Sequence, residues 1–157
     1  MNKLILFTDG SVDTQSKIGF GAYLFVEKLE SSIELLKKRV KVKRFENTSS
    51  TKLELQILLW ALKEISEPMQ KVTVYSDSQN IIGLPGRRAR FEQNDYRSKK
   101  NEHLKNYKLY REFYQITDKL NIDLVKVNGH QPSYRKDEID KIFTIVDRAS
   151  RNALRGK

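Results

Sequence analysis

The apolar pattern of this chain changes period along its length, and that change constrains the fold more than any other feature. Residues 3–8, Lys-Leu-Ile-Leu-Phe-Thr, form a short apolar run that reads as a buried strand, with Asp9-Gly10-Ser11 as its closing turn. Residues 18–28, with Gly19 and Gly21 among Phe20, Ala22, Tyr23, Leu24, Phe25 and Val26, predict a second strand. Residues 33–46 predict a third, because Val40, Val42 and Arg44 alternate with Lys41 and Lys43 as on an exposed antiparallel strand. The period then becomes helical at Leu55, Leu58, Leu59, Leu62 and Ile65, after candidate N-caps at 47–51 and before Pro68. Val72-Thr73-Val74-Tyr75-Ser76 is another short strand, closing on Asp77, and a short helix fits near 79–84. A helix at 102–120, a strand from Ile122 to Val127 and a final helix at 137–155 complete the chain. The order β-β-β-α-β-α-β-α predicts an α/β architecture, a mixed sheet covered by helices.

The 157 residues carry no repeat or linker and suit a single domain, 1–157. The chain has no cysteine and two histidines, which excludes disulfides, thiolate nucleophiles and cysteine or histidine-rich zinc sites. Any metal must therefore sit on oxygen ligands, which select hard cations such as magnesium or manganese. The N-terminal apolar run stops at Asp9, too soon for a signal or membrane segment, so a soluble, cytoplasmic protein is expected. A formal charge of +10 favours a polyanionic partner.

Four acids fall where chemistry is expected. Asp9 and Asp77 each follow a buried strand, Glu54 shares a helix face with Leu58, Ala61 and Ile65, and Asp147 borders the stripe of Ile139, Ile142, Phe143, Val146 and Ala149. A carboxylate beside an apolar face is costly unless paired, protonated or bound to metal. Each also has a structural reading. Asp9-Gly10 suits a turn, Thr51 to Glu54 has capping-box spacing, Asp77-Ser78 suits a helix cap, and Asp147 can pair with Arg148 or Arg151.

Five motifs in order carry a family resemblance. Thr8-Asp9-Gly10-Ser11 followed by Gly19-Phe20-Gly21-Ala22, then Ser49 to Leu55 with Ala61-Leu62, then Tyr75-Ser76-Asp77-Ser78-Gln79, Val127-Asn128-Gly129-His130 and Val146 to Ser150 together resemble type 1 ribonuclease H. The resemblance spans residues 8–150 and implies a five-stranded mixed sheet, three antiparallel strands and then parallel ones, flanked by helices. It implies hydrolysis of the RNA strand of RNA–DNA hybrids by two magnesium ions, with manganese as a possible substitute, leaving 5′-phosphate and 3′-hydroxyl ends. Asp9, Glu54, Asp77 and Asp147 would hold the metals, and His130 would shuttle protons or aid product release. Alternatives stay open: a nucleic-acid-binding module of the same fold, or a related nuclease acting on another duplex or junction.

The resemblance also implies substrate contacts at Gly10, Ser11, Ser49, Ser50, Thr51 and Gln79, where the family touches the nucleic-acid backbone. Ser50 and Thr51 stand where the family commonly has asparagines. Residues 86–111 hold nine Lys or Arg against three acids, interleaved with Tyr96, Tyr107 and Tyr110. This resembles the family's basic protrusion, and assigns Arg87, Arg88, Lys99 and Lys100 to phosphate binding. The stretch between His130 and Asp147 is longer than the family's, and is expected to extend the last helix backwards from Asp147. No protein partner is implied, and a monomer is expected.

Overall fold

The computed structural model of the chain describes residues 3–29, 32–66, 71–128 and 137–156. Five strands form one sheet: β1 (Lys3–Asp13), β2 (Ile18–Val26), β3 (Lys41–Phe45), β4 (Lys71–Ser76) and β5 (Ile122–Lys126). Their order across the sheet is β3-β2-β1-β4-β5, antiparallel from β3 through β1 and parallel from β1 to β5. The helices are α1 (Ile33–Arg39), α2 (Ser50–Lys63), α3 (Gln79–Ile82), α4 (Leu84–Gln93), α5 (Tyr107–Thr117) and α6 (Glu138–Arg155).

The period-two alternation of β1 and β2 divides two cores. Leu6, Tyr23, Val72 and Val74 meet Leu55, Leu58, Leu59 and Leu62 of α2, with Phe113 and Tyr114 of α5. On the opposite face Phe7, Ala22, Leu24 and Val26 meet Leu36 of α1 and Ile142, Phe143 and Val146 of α6. The apolar faces read from the sequence for α2 and α6 are therefore the buried ones, and Trp60 packs against Tyr23 as a core residue.

Two expectations are corrected. Residues 33–46 are not one strand: two helical turns, α1, precede β3. Leu36 is fully buried under that helix, with Ile33 and Val40 packed beside it, an i, i+3 arrangement that a strand cannot offer to one face. The 41–45 part is the exposed antiparallel strand expected, and its Lys41 and Lys43 mark a charged sheet edge.

Asp9-Gly10-Ser11 is likewise no turn. β1 runs on to Asp13, and Gly10 faces Gly21 of β2 in the ladder. The missing side chains are needed there because α2 lies very close. A Cβ on Gly10 would come within 2.7 Å of Ile57 Cδ1, and one on Gly21 within 2.2 Å of Ile57 Cγ1. Ile57 thus seats the start of α2 on bare backbone, three residues after Glu54.

The basic segment 86–111 folds as the end of α4, a loop and the start of α5. Tyr107 and Tyr110 are half-buried, and Tyr107 stacks on the exposed His103 ring with centroids 4.0 Å apart. Phe91 packs against Tyr96 and Tyr110, with ring centroids 5.9 and 4.9 Å apart, and Tyr96 is buried. The helix expected over 102–120 begins only at Tyr107.

Candidate active site

The parallel ladder between β1 and β4 ends at Phe7 opposite Tyr75, whose rings stack 5.1 Å apart. Two residues further along both chains stand Asp9 and Asp77. Strand alternation keeps Asp9 on the face of Phe7, the face covered by α6, and Asp77 follows β4 directly. β1 and β4 part at this level, because β4 stops at Ser76 while β1 continues with β2 alone. The gap is where the two aspartates meet.

Asp147 approaches from α6, and its carboxyl comes close enough to Asp9 to act on it both as a hydrogen-bonding neighbour and as a charge. Burial pushes the Asp9 carboxyl up to about 9, helped by the negative charge of Asp77 and by the hydrogen bond and charge of Asp147, while the Gly10 amide opposes the shift. Asp147 has a second partner in Arg151 Nε, 3.0 Å from its Oδ1, the i, i+4 pair anticipated from the sequence. Ser150, fully buried, donates to the Asp147 carbonyl at 3.0 Å and meets Ser11 Oγ at 3.1 Å. Ser11 therefore pins α6 to β1 beside the acids.

Glu54 comes from the other layer. The capping-box reading of Thr51 and Glu54 is corrected: the N-cap of α2 is Ser49, whose side chain accepts from the Lys52 amide at 3.3 Å. Glu54 is thereby free to turn to Ser78, whose hydroxyl donates to its Oε2 at 2.5 Å. Burial raises the Glu54 carboxyl, the Ser78 hydrogen bond opposes this, and the charge of Asp77 raises it further. Asp77 is thus electrostatically joined to both Glu54 and Asp9. The helix cap after β4 is made by Ser78 itself, accepting from the Ile81 amide at 3.2 Å.

The four acids form a chain of interactions, Glu54–Asp77–Asp9–Asp147, across the end of the sheet. Among the described residues no three acidic or histidine side chains already make a cage for an ion. Ser78 engages Glu54 on one side and Arg151 engages Asp147 on the other. The donor set nevertheless suits a hard divalent cation, since every ligand atom is oxygen. The raised Asp9 carboxyl holds its proton where positive charge is favoured, and a cation would displace that proton.

The remaining predicted contacts divide. Gly10 lies beneath Ile57, Ser11 turns inward to Ser150, and Ser49 caps α2. Ser50 is exposed at the start of α2 and Thr51 half-buried beside it. Gln79 is exposed, its Oε1 accepting from Lys126 Nζ at 3.0 Å. Arg87 donates to the carbonyl and side chain of Asn80 at 2.6 and 3.0 Å. Arg88 makes a forked pair with Asp118 at 2.7 and 2.9 Å, bonds Glu92, and lies over the Tyr114 ring. Both guanidiniums have internal partners, whereas Lys99 and Lys100 stand exposed on the loop after α4. His130 lies outside the described residues. Sequence reasoning overlooked Lys126 and gave Ser78 only a capping role. The partner of each is set by strand order, which brings β5 beside β4, and by the approach of α2.

A five-stranded mixed sheet of this order, with acids gathered where β1 and β4 separate, defines the ribonuclease H-like class. In the solved structure of a foamy viral protease–reverse transcriptase in complex with dsDNA, a chain is similar at TM-score 0.66 and 15% identity, over 95% of this chain and 94% of that one, which shows the fold. A family model described as RNase H matches residues 1–146, and the chain belongs to the ribonuclease H family of enzymes. It is similar to the ribonuclease H of Caldicellulosiruptor saccharolyticus, 28% identical over 90% of this chain and 94% of the relative. The ribonuclease H of Acetivibrio thermocellus is 26% identical over 92% and 94%. Among the described residues no helix is long and apolar enough to cross a membrane.

Proposed function

We propose that the chain hydrolyses the RNA strand of RNA–DNA hybrids, leaving 5′-phosphate and 3′-hydroxyl ends, with Asp9, Glu54, Asp77 and Asp147 as ligands of two divalent cations. The observation that carries this reading is the gathering of Asp77 and Asp147 around the buried Asp9 carboxyl, with Glu54 on the far side of Asp77. Clustered carboxylates of this kind are poorly stable together at neutral pH until positive charge arrives. Magnesium is the expected cation, with manganese as a substitute, and when bound it supplies Lewis-acid stabilisation of the attacking and leaving oxygens of the phosphodiester.

The chain's own residues do the rest. Asp9 would give up its proton to make room for positive charge. Ser78 orients Glu54, and Ser150 with Ser11 fixes the turn of α6 that carries Asp147. Ser50 and Thr51 lie on α2 with Glu54, Gln79 opens α3 two residues after Asp77, and all three contact the backbone of the hybrid. Gly10 serves by admitting Ile57 rather than by touching substrate. Lys99 and Lys100, with the excess charge of the 86–111 segment, hold phosphates away from the cut. His130 moves a proton near the leaving group or helps release product.

The test is cleavage of end-labelled hybrid, duplex DNA and duplex RNA, each with magnesium and with chelator. Magnesium-dependent cutting confined to the RNA of the hybrid is expected. Cutting of duplex DNA or duplex RNA instead would assign another nuclease activity, and binding without cutting would make this a binding module.

A further inference from the structure

Lys126 is the last residue of β5 and pairs in the parallel ladder with Ser76, the last residue of β4 and the one before Asp77. From that position its ammonium reaches Gln79, the first residue of α3, at 3.0 Å. An ammonium offers donors only, so it can bind only the oxygen end of the amide. The two N–H donors of Gln79 are left for another partner, on a side chain that is exposed to solvent. Ser78, between Asp77 and Gln79, grips Glu54. The Lys126–Gln79 bond therefore sits at the end of β5, beside the strand that leads into Asp77.

We propose that Lys126 is a positioning residue that makes Gln79 a donor-only reader of the substrate's minor groove. This rests on the hybrid-hydrolase reading above and extends it to the selection of groove atoms. The minor groove of a hybrid presents mainly acceptors, purine N3, pyrimidine O2 and the 2′-oxygens of the RNA strand, with the guanine amino group and the 2′-hydroxyl hydrogens as its donors. An amide with its oxygen held by Lys126 meets the acceptors with N–H groups. Without Lys126 the amide can turn over, and its oxygen then faces those acceptors unfavourably. The ammonium is engaged by Gln79, and its role runs through that side chain rather than through a phosphate of its own.

Steady-state kinetics on a labelled hybrid with magnesium tests this. Lys126→Met is expected to raise KM about 3–10-fold, the size of one good hydrogen bond, with kcat unchanged. Lys126→Arg should restore KM, since a guanidinium is also donor-only. Gln79→Glu keeps the bond to Lys126 but has no donor, and should lose as much as Gln79→Ala. Adding Lys126→Met to Gln79→Ala should change nothing further. A full Lys126→Met effect in the Gln79→Ala background would make Lys126 a direct phosphate contact and overturn the proposal, as would an unimpaired Gln79→Glu enzyme. A wild type that cleaves the hybrid alongside a Lys126→Met variant of unchanged KM overturns this inference alone. A wild type that leaves the hybrid intact overturns the reading beneath it as well. Lys126 is exposed, so the variants should melt with the wild type, and a lowered Tm would assign the residue to the fold instead.

Discussion

Ser78 binds in two directions at once: its hydroxyl donates to Glu54 Oε2 at 2.5 Å, and the same oxygen accepts from the Ile81 amide at 3.2 Å. One side chain thus caps α3 and orients an acid that arrives from α2. The bond favours ionised Glu54 and opposes the rise caused by burial. Ser78→Ala should therefore move the acidic limb of the pH–activity profile to higher pH. It should also cost about 1 kcal/mol of stability through the lost cap, read by chemical denaturation. An unmoved acidic limb would separate Glu54 from the activity.

Asp9 gives the clearest dependence of stability on pH. Its carboxyl is raised from 3.8 to about 9 in the fold, chiefly by burial and then by the charge of Asp77. Between those values the native state holds a proton that the unfolded chain has released, so this group's contribution falls as pH rises through the window. Asp9→Asn removes the titrating group without changing the shape. In chelator, the variant's Tm should pull ahead of the wild type as pH is raised, by the few degrees that about 1 kcal/mol represents for each pH unit across the window. Parallel curves would refute the shift.

The two glycines under Ile57 tie fold to site. Gly21→Ala would put a Cβ 2.2 Å from Ile57 Cγ1, and α2 must lift to relieve it. A loss of about 1–3 kcal/mol is expected, together with a lowered kcat, because Glu54 rides on the same helix. Adding Ile57→Ala should recover part of the kcat by removing the clash. Full activity in Gly21→Ala would show that α2 need not lie so close.

The basic segment should separate into two roles. Replacing Lys99 and Lys100 by Gln removes two exposed charges, and the slope of log affinity against log salt should flatten by about 2. Arg88→Ala instead breaks the fork to Asp118 and the contact with Tyr114, and should lower stability by about 1 kcal/mol while leaving that slope nearly unchanged. A slope flattened by about 1 in Arg88→Ala would mean that Arg88 leaves Asp118 to meet phosphate.

The sheet and its main helices were legible because their periods are unmixed: Val72 to Ser76 reads only as a strand, and Leu55 to Ile65 only as a helix. The acids were legible as a set because they follow these elements. α1 was not. In two turns it shows one fully buried residue, Leu36, and exposes Leu35, which leaves too few positions to distinguish helix from strand. The continuation of β1 past Asp9 was hidden because Gly10 reads as a turn residue until Ile57 is seen above it. Side-chain partners were the least legible. Ser78 with Glu54, Lys126 with Gln79 and Arg88 with Asp118 lie 24, 47 and 30 residues apart. Only the packing of the elements brings them together.

The proton held by Asp9 offers the most direct measurement of the account as a whole. Calorimetric titration of manganese into the protein, with Asp9→Asn as the control, repeated at pH 7 in buffers of different ionisation enthalpy, counts the protons released as metal binds. The wild type should release about one proton, and the variant should bind weakly and release none. Metal binding that frees no proton and is indifferent to Asp9→Asn would place the cation elsewhere and contradict the central claim.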